Sequence, residues 1–493
     1  MNIVFAASEC TPFAKTGGLA DVLGALPQAL AARHKVTVFL PYYPWKMRPL
    51  EEKGLAYTKT VSLLDVPLGG KTLWAQIRVL EKEKNLQYCF IEFDRYFDRP
   101  NLYDWNGEAY SDNGERFLFF SRSVMQGVLK MNLRPDILHL NDWQSALCAA
   151  YLTSSHYRSK PQFANTKSVL TLHNVGYQGV FPASLFPLTE LEEGYFRYDC
   201  LEYYGNINFL KGGIACAHEV NTVSPTYARE ILGEQGEGLQ GALQHCYDRG
   251  KLRGILNGID VKEWDPASDP ALPVPFSAAD LKGKKEAKKA LLAHFNLPYN
   301  EGKTPLFGVI SRLASQKGLD ILAGAMEELL AANENMQFII IGTGDPILEE
   351  RYKSLAERYP DKVGFYCGMA PKGTAHLLEG GSDFFLMPSR YEPCGLNQMY
   401  SMRYGTLPIV RHTGGLADTV VHFVEEEKPI KGTGIHFYDL TIPALRETIR
   451  YGARLYFEAP RKIRSMRIAA MKKDFSWDHT GEEYEEMYND AHK

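Results

Sequence analysis

The chain has 493 residues, a length that suits two domains of roughly 100–250 residues each. Hydrophobic residues make up 45% and charged residues 23%, and no run of about 18 apolar residues occurs, which excludes both a disordered and a membrane-embedded chain. A formal net charge of -4 gives no overall basic field, so neither nucleic acid nor a membrane is an expected partner. The N-terminus, Met1-Asn2-Ile3-Val4-Phe5-Ala6-Ala7, has no basic segment and reaches Glu9 too soon for a secretory signal. It reads as a first strand, and the protein as cytosolic. Eight cysteines without a C-x-x-C pair read as reduced core thiols, not as zinc ligands or a disulfide frame.

The first half opens as a βαβ unit. Ile3 to Ala7 is an unbroken apolar run suited to a strand buried on both faces; Leu19 to Arg33 carries helical periodicity; Val36 to Leu40 resumes the sheet. Gln87 to Ile91, Ile137 to Leu140 and Ser168 to Leu172 read as further strands. The last two end on polar clusters, Asn141-Asp142-Trp143 and His173-Asn174. A second set begins at Leu306, with strands expected at Leu306–Ile310, Gln337–Ile341, Val363–Tyr366, Asp383–Met387 and Leu407–Val410, each followed by a turn and a helical stretch. The pattern predicts an α/β fold of two Rossmann-like doubly wound lobes, residues 1–254 and 255–476, with a final helix at 477–493 joining the first. The hinge is expected between Ile255 and the Pro/Ala-rich stretch Asp265 to Ala279. Ligands bind at the carboxyl ends of the strands in such sheets, so the lobes are expected to face each other across a central cleft.

The sequence Thr-Gly-Gly-Leu-Ala-Asp occurs twice, at 16–21 and at 413–418. Each copy reads as a glycine turn leading into a helix, able to bring backbone N–H groups close to an anion or simply to serve the turn. Phosphate and metal signatures fail elsewhere. Gly70-Lys71-Thr72 and Gly302-Lys303-Thr304 lack the upstream glycine of a P-loop, with Asp65 and Leu297 in its place. Gly342-Thr343-Gly344 lacks the third glycine of a dinucleotide fingerprint, with Ile347 in its place. There is no H-E-x-x-H and no D-x-D, so no metal and no cofactor is expected, and charge on a diphosphate would have to be met by side-chain cations and helix ends. Arg312 and Lys317, in Ser311-Arg312-Leu313-Ala314-Ser315-Gln316-Lys317-Gly318, stand after a strand and can clamp adjacent phosphates; Lys15 is a third candidate. Ser389-Arg390-Tyr391-Glu392-Pro393-Cys394-Gly395-Leu396 delivers a carboxylate and then a helix start near Asn397. Glu392 is either at a reacting sugar or a helix cap. His173 either bonds a sugar hydroxyl or closes a turn.

Lys15 to Asp21, His173-Asn174, Ser311-Arg312-Leu313 with Gln316-Lys317-Gly318, and Ser389 to Leu396 together resemble the bacterial glycogen synthases and plant starch synthases, and ordered matches run on to Asp474-Phe475-Ser476-Trp477. The resemblance implies a GT-B fold and transfer of glucose from ADP-glucose to the nonreducing end of an α-1,4-glucan (glycogen, starch or a maltooligosaccharide), with retention and without a metal. It implies that Lys15, Gly17 and Gly18 approach the donor diphosphate with Asp21 nearby, and that Arg312 and Lys317 bind the phosphates. Asn257 and His173 would hold the glucosyl unit, and Glu392 would sit at the reacting sugar beside Cys394, Gly395 and Leu396. Asp142 lies on a cleft-facing strand end. Location would be cytoplasmic, or plastid stroma if a transit peptide has been removed. Two departures stand out. Tyr400 occupies the place of the second glutamate found in the wider class of retaining two-lobe transferases, and Met369 stands where bacterial relatives often have a tyrosine near the adenine, which leaves UDP-glucose as an alternative donor. Two other classes compete. A glycoside hydrolase would need a second carboxylate opposite Glu392, and a glucan-binding protein would use Tyr103, Trp105 and Tyr110 as stacking platforms.

Overall fold

The computed structural model describes residues 1–493, the side chain at position 372 excepted. The chain divides into two units: Met1–Gly258 with Trp477–Lys493, and Ile259–Ser476.

The first unit is built on a nine-stranded sheet. Its strands, numbered by chain order, are β1 (Asn2–Ala6), β2 (Lys35–Pro41), β3 (Lys59–Leu68), β4 (Lys71–Glu83), β5 (Leu86–Glu92), β6 (Ile137–Asn141), β7 (Lys167–Leu172), β8 (Glu219–Thr222) and β9 (Leu252–Gly254). Their order across the sheet is β9-β8-β7-β6-β1-β2-β5-β4-β3. From β9 to β5 every neighbour pair is parallel. β4 and β3 then add an antiparallel edge that the strand expectations for a doubly wound lobe did not include. Its cause is Gly69-Gly70, two residues with φ of 58° and 74° that make the two-residue turn of a hairpin. Gly70-Lys71-Thr72 is thus a turn entering a strand.

The C-terminal helix Trp477–Ala491 belongs to this unit because its apolar face and its phenols both find partners there. Trp477, Tyr484, Met487 and Tyr488 are buried with Ile3, Phe5, Val36 and Ile255. His139 on β6 is fully buried between Tyr488 and Thr171, at 2.7 Å from each hydroxyl. Thr171 donates to Asn221 Oδ1 at 2.7 Å, so its oxygen accepts from His139 Nε2–H, and Nδ1 accepts from Tyr488. Burial holds the imidazole neutral, with its pKa lowered to about 3.

The second unit carries a six-stranded, all-parallel sheet: β10 (Leu306–Ile310), β11 (Gln337–Gly342), β12 (Val363–Cys367), β13 (Phe384–Met387), β14 (Leu407–Arg411) and β15 (Ile435–Phe437). The order is β12-β11-β10-β13-β14-β15. Five strands lie where the apolar runs place them; the three-residue β15 is too short to carry a pattern. The stretch Asp265 to Ala279 is not a free linker. Leu272 and Phe276 are buried with Ala287, Tyr404 and Met471, which fixes the segment to the second unit, and the division between units falls after Gly258.

In both sheets one strand is flanked on its two sides by strands whose connections run in opposite directions. These are the topological switch points, where the loops after adjacent strands diverge and leave a crevice. In the first unit the crevice lies between β1 and β6, in the second between β10 and β13. No helix among the described residues is long and apolar enough to cross a membrane.

Candidate active site: two half-sites

In the first unit the loop after β1 is organised by Glu9, a residue to which sequence reasoning gave no role. Its side chain is buried, and its carboxylate accepts from the backbone N–H and the hydroxyl of Thr16, from Gly17 N at 3.2 Å and from the Tyr103 hydroxyl at 2.7 Å. Four donors on one carboxylate fix the approach to helix Gly18–Ala31, with Gly17 as its N-cap. Tyr103 bonds Ser8 Oγ at 2.7 Å as well, and burial together with Glu9 raises its phenol, which keeps it a donor. It is therefore a brace of the loop and not an open stacking platform: its ring packs on Phe117 with centroids 5.8 Å apart. Trp105 is half exposed, at 51%. A signal for Glu9 existed, since a carboxylate just after a buried strand is the same pattern that singled out Asp142. Lys15 pairs with Asp21 at 2.6 Å on the protein surface. Exposed pairs of this kind are worth about 0–1 kcal/mol, so Lys15 can exchange its partner for a phosphate at little cost.

After β6 stands Asp142, whose φ of 53° and ψ of -172° lie in a region normally left to glycine. The strain of roughly 1–3 kcal/mol is held in place by its own side chain, which accepts from His173 N at 2.7 Å and also from the Asn174 amide. Burial raises the carboxyl to about 7, with the two amides opposing the shift and Glu9 adding to it. His173 Nε2 lies 3.0 Å from Asn141 Oδ1, and Asn141 Nδ2 donates to Ala6 O at 3.3 Å. That fixes the amide orientation, puts the imidazole proton on Nε2 and leaves Nδ1 as the acceptor. Burial lowers the His173 pKa to about 3, so the ring is neutral. Asn257 is buried too, and its Oδ1 has no hydrogen-bond partner among the described residues.

In the second unit the loops after β10 and β13 meet. Lys317 Nζ lies 2.7 and 2.9 Å from the two oxygens of Glu392, which also accepts from Ser389 Oγ at 2.9 Å. Glu392 is 5% exposed. It does not cap helix Asn397–Arg403, whose N-cap is Leu396 without a side-chain bond. Arg390 is committed elsewhere, forked on Asp320 with both bonds at 2.7 Å. Arg312 is exposed, and its guanidinium has no partner among the described residues. Cys394 is buried, Gly395 takes a φ of 73°, and neither Gly395 N nor Leu396 N has an acceptor among the described residues. The half-site thus offers one open cation, one cation shared with a carboxylate, and two backbone donors. Tyr400 lies flat on Trp264, 3.8 Å between centroids, so a second carboxylate does not come from that position.

The repeated Thr-Gly-Gly has different work in the two units. A Cβ on Gly17 would meet nothing within 4 Å. One on Gly414, at φ 44°, would stand 1.9 Å from Glu392 O, and one on Gly415 2.1 Å from Cys394 O. Gly415 N donates to Glu392 O at 3.1 Å. The second copy packs backbone on backbone under Glu392, whereas Gly17 of the first has space around it.

Gly415→Ala is expected to destabilise the second unit by about 2–3 kcal/mol or more, while Gly17→Ala changes stability by less than about 1 kcal/mol. Denaturant unfolding of both variants checks this, and equal losses would contradict it. Asp142 supplies a pH dependence. The native carboxyl keeps its proton to about pH 7 while the unfolded chain releases it near pH 4, so its contribution to stability falls as pH rises through that window. Asp142→Asn keeps the acceptor for His173 N and removes the titration. Its stability relative to wild type is expected to rise by roughly 1–3 kcal/mol between pH 5 and 8. Parallel profiles would refute the assignment.

Comparison with known proteins shows the family. Residues 2–245 match the family model described as starch synthase catalytic domain, and residues 295–454 match that of glycosyl transferases group 1. A glycogen synthase of Anaeromyxobacter sp. (strain Fw109-5) is 44% identical over 500 residues, covering 99% of both chains. One of Koribacter versatilis is 42% identical, covering 100% of this chain and 98% of its own. Among solved structures, the catalytic domain of starch synthase IV from Arabidopsis thaliana, bound to ADP and acarbose, superposes with a TM-score of 0.86 at 31% identity, covering 100% of this chain and 99% of its own. Sucrose-phosphate synthase from Thermosynechococcus elongatus, at 18% identity and a TM-score of 0.60, shares the fold. The chain belongs to the glycogen and starch synthase family of GT-B glycosyltransferases.

Proposed function

We propose that the protein transfers glucose from ADP-glucose to the nonreducing end of an α-1,4-glucan with retention of configuration and without a metal. The observation that carries this reading is the buried Glu392 carboxylate held on Lys317 beside the open Arg312 guanidinium and the unused N–H groups of Gly395 and Leu396. A departing diphosphate gains charge in the transition state, and fixed cations and amides there stabilise it more than they stabilise the bound donor. Glu392 supplies negative charge where the sugar becomes cationic, and Lys317 bridges the carboxylate and the phosphate. His173 Nδ1 accepts from a sugar hydroxyl, and the Asn257 amide offers its unpartnered oxygen to another. The acceptor hydroxyl attacks from the face that the diphosphate leaves.

The base would rest at the end of β12, where Tyr366 and Met369 are 41% and 87% exposed. The hydrogen-bond partners of Glu392 are Lys317 and Ser389, a setting that suits charge stabilisation better than the paired carboxylates of a hydrolase. With Arg312 and Lys317 available to meet the phosphates, turnover should survive a chelator.

The test is ADP release from ADP-glucose with and without glycogen, in the presence of EDTA, with UDP-glucose as the comparison donor. ADP is expected to appear only when glycogen is present, at least about tenfold faster than UDP from UDP-glucose. Glucose release without acceptor would identify a hydrolase, absence of turnover with glycogen binding would identify a binding protein, and loss of activity in EDTA would overturn the metal-free reading.

A further inference from the structure

Six of the eight cysteines are separate features: Cys10, Cys89, Cys148, Cys246 and Cys394 are buried, and Cys367 is exposed at the end of β12. Burial raises the thiols of Cys10, Cys89 and Cys148, with Cys148 at about 12, which makes them poor nucleophiles. Cys200 and Cys216 differ. Their sulfurs lie 3.7 Å apart in the first unit. The chain doubles back between them through the hairpin strands Glu202–Tyr203 and Asn206–Asn208 into helix Phe209–Cys216, with Asn208 N bonded to Leu201 O at 2.9 Å. Lys211 on that helix donates to the carbonyls of Tyr198 and Glu202 and so clamps the turn bearing Cys200 over the helix. Cys216, at the helix end, is half-buried. The Cys216 S–H bonded to it lowers the Cys200 thiol below the ordinary range.

We propose that Cys200 and Cys216 form a reversible intramolecular disulfide, a modification site separate from the transferase half-sites. A sulfur–sulfur contact of this kind needs only side-chain rotation and a small closing movement to reach bonding distance. The oxidant is a small-molecule or protein disulfide. One thiolate of the pair attacks a sulfur of that disulfide, forming a mixed disulfide and expelling the oxidant's other sulfur as a thiolate. The second cysteine, its proton passed to solvent, attacks the protein sulfur of the mixed disulfide and expels the remaining oxidant sulfur. Two protein thiols are oxidised, one disulfide is reduced to two thiols, and the two protons end on the departing thiolates. The bridge closes the turn that carries the exposed Tyr198 and Tyr204 onto the helix. That helix starts by donating from Phe209 N and Leu210 N to Gly179 O and Gln178 O, in the segment that follows His173-Asn174. Oxidation therefore stiffens the chain leading out of the first half-site.

The experiment incubates the full-length protein with oxidised or reduced dithiothreitol, alkylates free thiols under denaturing conditions and maps the peptides. The expected result in the oxidised sample is loss of the alkyl adducts on Cys200 and Cys216 alone, with a peptide linking them that fresh reductant dissolves. Alkylation of both residues in the oxidised sample, or a bond from either to a different cysteine, would overturn the proposal. Limited proteolysis reads the consequence: cleavage within residues 196–205 is expected to slow in oxidised wild type and not in Cys216→Ser. Equal cleavage of the oxidised and reduced forms would refute the stiffening.

Discussion

The contact on which the arrangement of the second unit's loops depends is the ion pair between Lys317 and Glu392, which joins loops from two strands at the switch point of the sheet. A carboxylate this deeply placed is costly without a partner, and removing Lys317 would leave Glu392 as an uncompensated buried charge. The fold accepts unusual backbone to keep the pair in place. Gly318, at φ 64°, lies so close to Pro388 O that a Cβ would stand 1.9 Å from it. Gly414 and Gly415 press about as closely on the carbonyls of Glu392 and Cys394. The lysine loop, the glutamate loop and the second Thr-Gly-Gly are therefore a single backbone-packed assembly, and a side chain at any of the three glycines would push the carboxylate out of register.

The two half-sites occupy the same place in their respective sheets but differ in electrical character. In the first unit the ionisable groups are arranged to be neutral or internally satisfied: His173 is held uncharged, Asp142 holds its proton to about pH 7, and Glu9 spends its charge on the Thr16-Gly17 loop and Tyr103. Such groups orient hydroxyls without adding field. In the second unit the open charge is the Arg312 cation, beside the Lys317–Glu392 pair. In the proposed reaction the first environment would suit a neutral sugar and the second a polyanionic diphosphate.

The parallel strands were legible because strands buried on both faces appear as unbroken apolar runs, and the polar residues after them marked the crevices. That rule singled out Asp142, His173, Arg312, Lys317 and Glu392 as candidates, and the structure places each after a strand. Glu9 obeys it as well, but its importance rests on Tyr103, some ninety residues away. Lys317 and Glu392 were each recognised, yet their pairing spans 75 positions and is a property of the sheet order alone. The antiparallel edge of β3 and β4 was hidden because Gly69-Gly70 carries a turn signal that only the alternation on either side interprets. The different tasks of the two Thr-Gly-Gly copies are invisible in identical letters, since they depend on what each glycine faces.

Whether Lys317 and Glu392 act as one unit is the most direct question to put to this account. A double-mutant cycle on kcat for glycogen-dependent ADP release, using Lys317→Ala, Glu392→Gln and the combination, answers it. Each single change is expected to lower kcat by roughly 10²–10³-fold, and the double variant to fall within about tenfold of the worse single. Losses that multiply would mean the two residues work independently, and a near-normal Glu392→Gln would remove the carboxylate from the chemistry altogether.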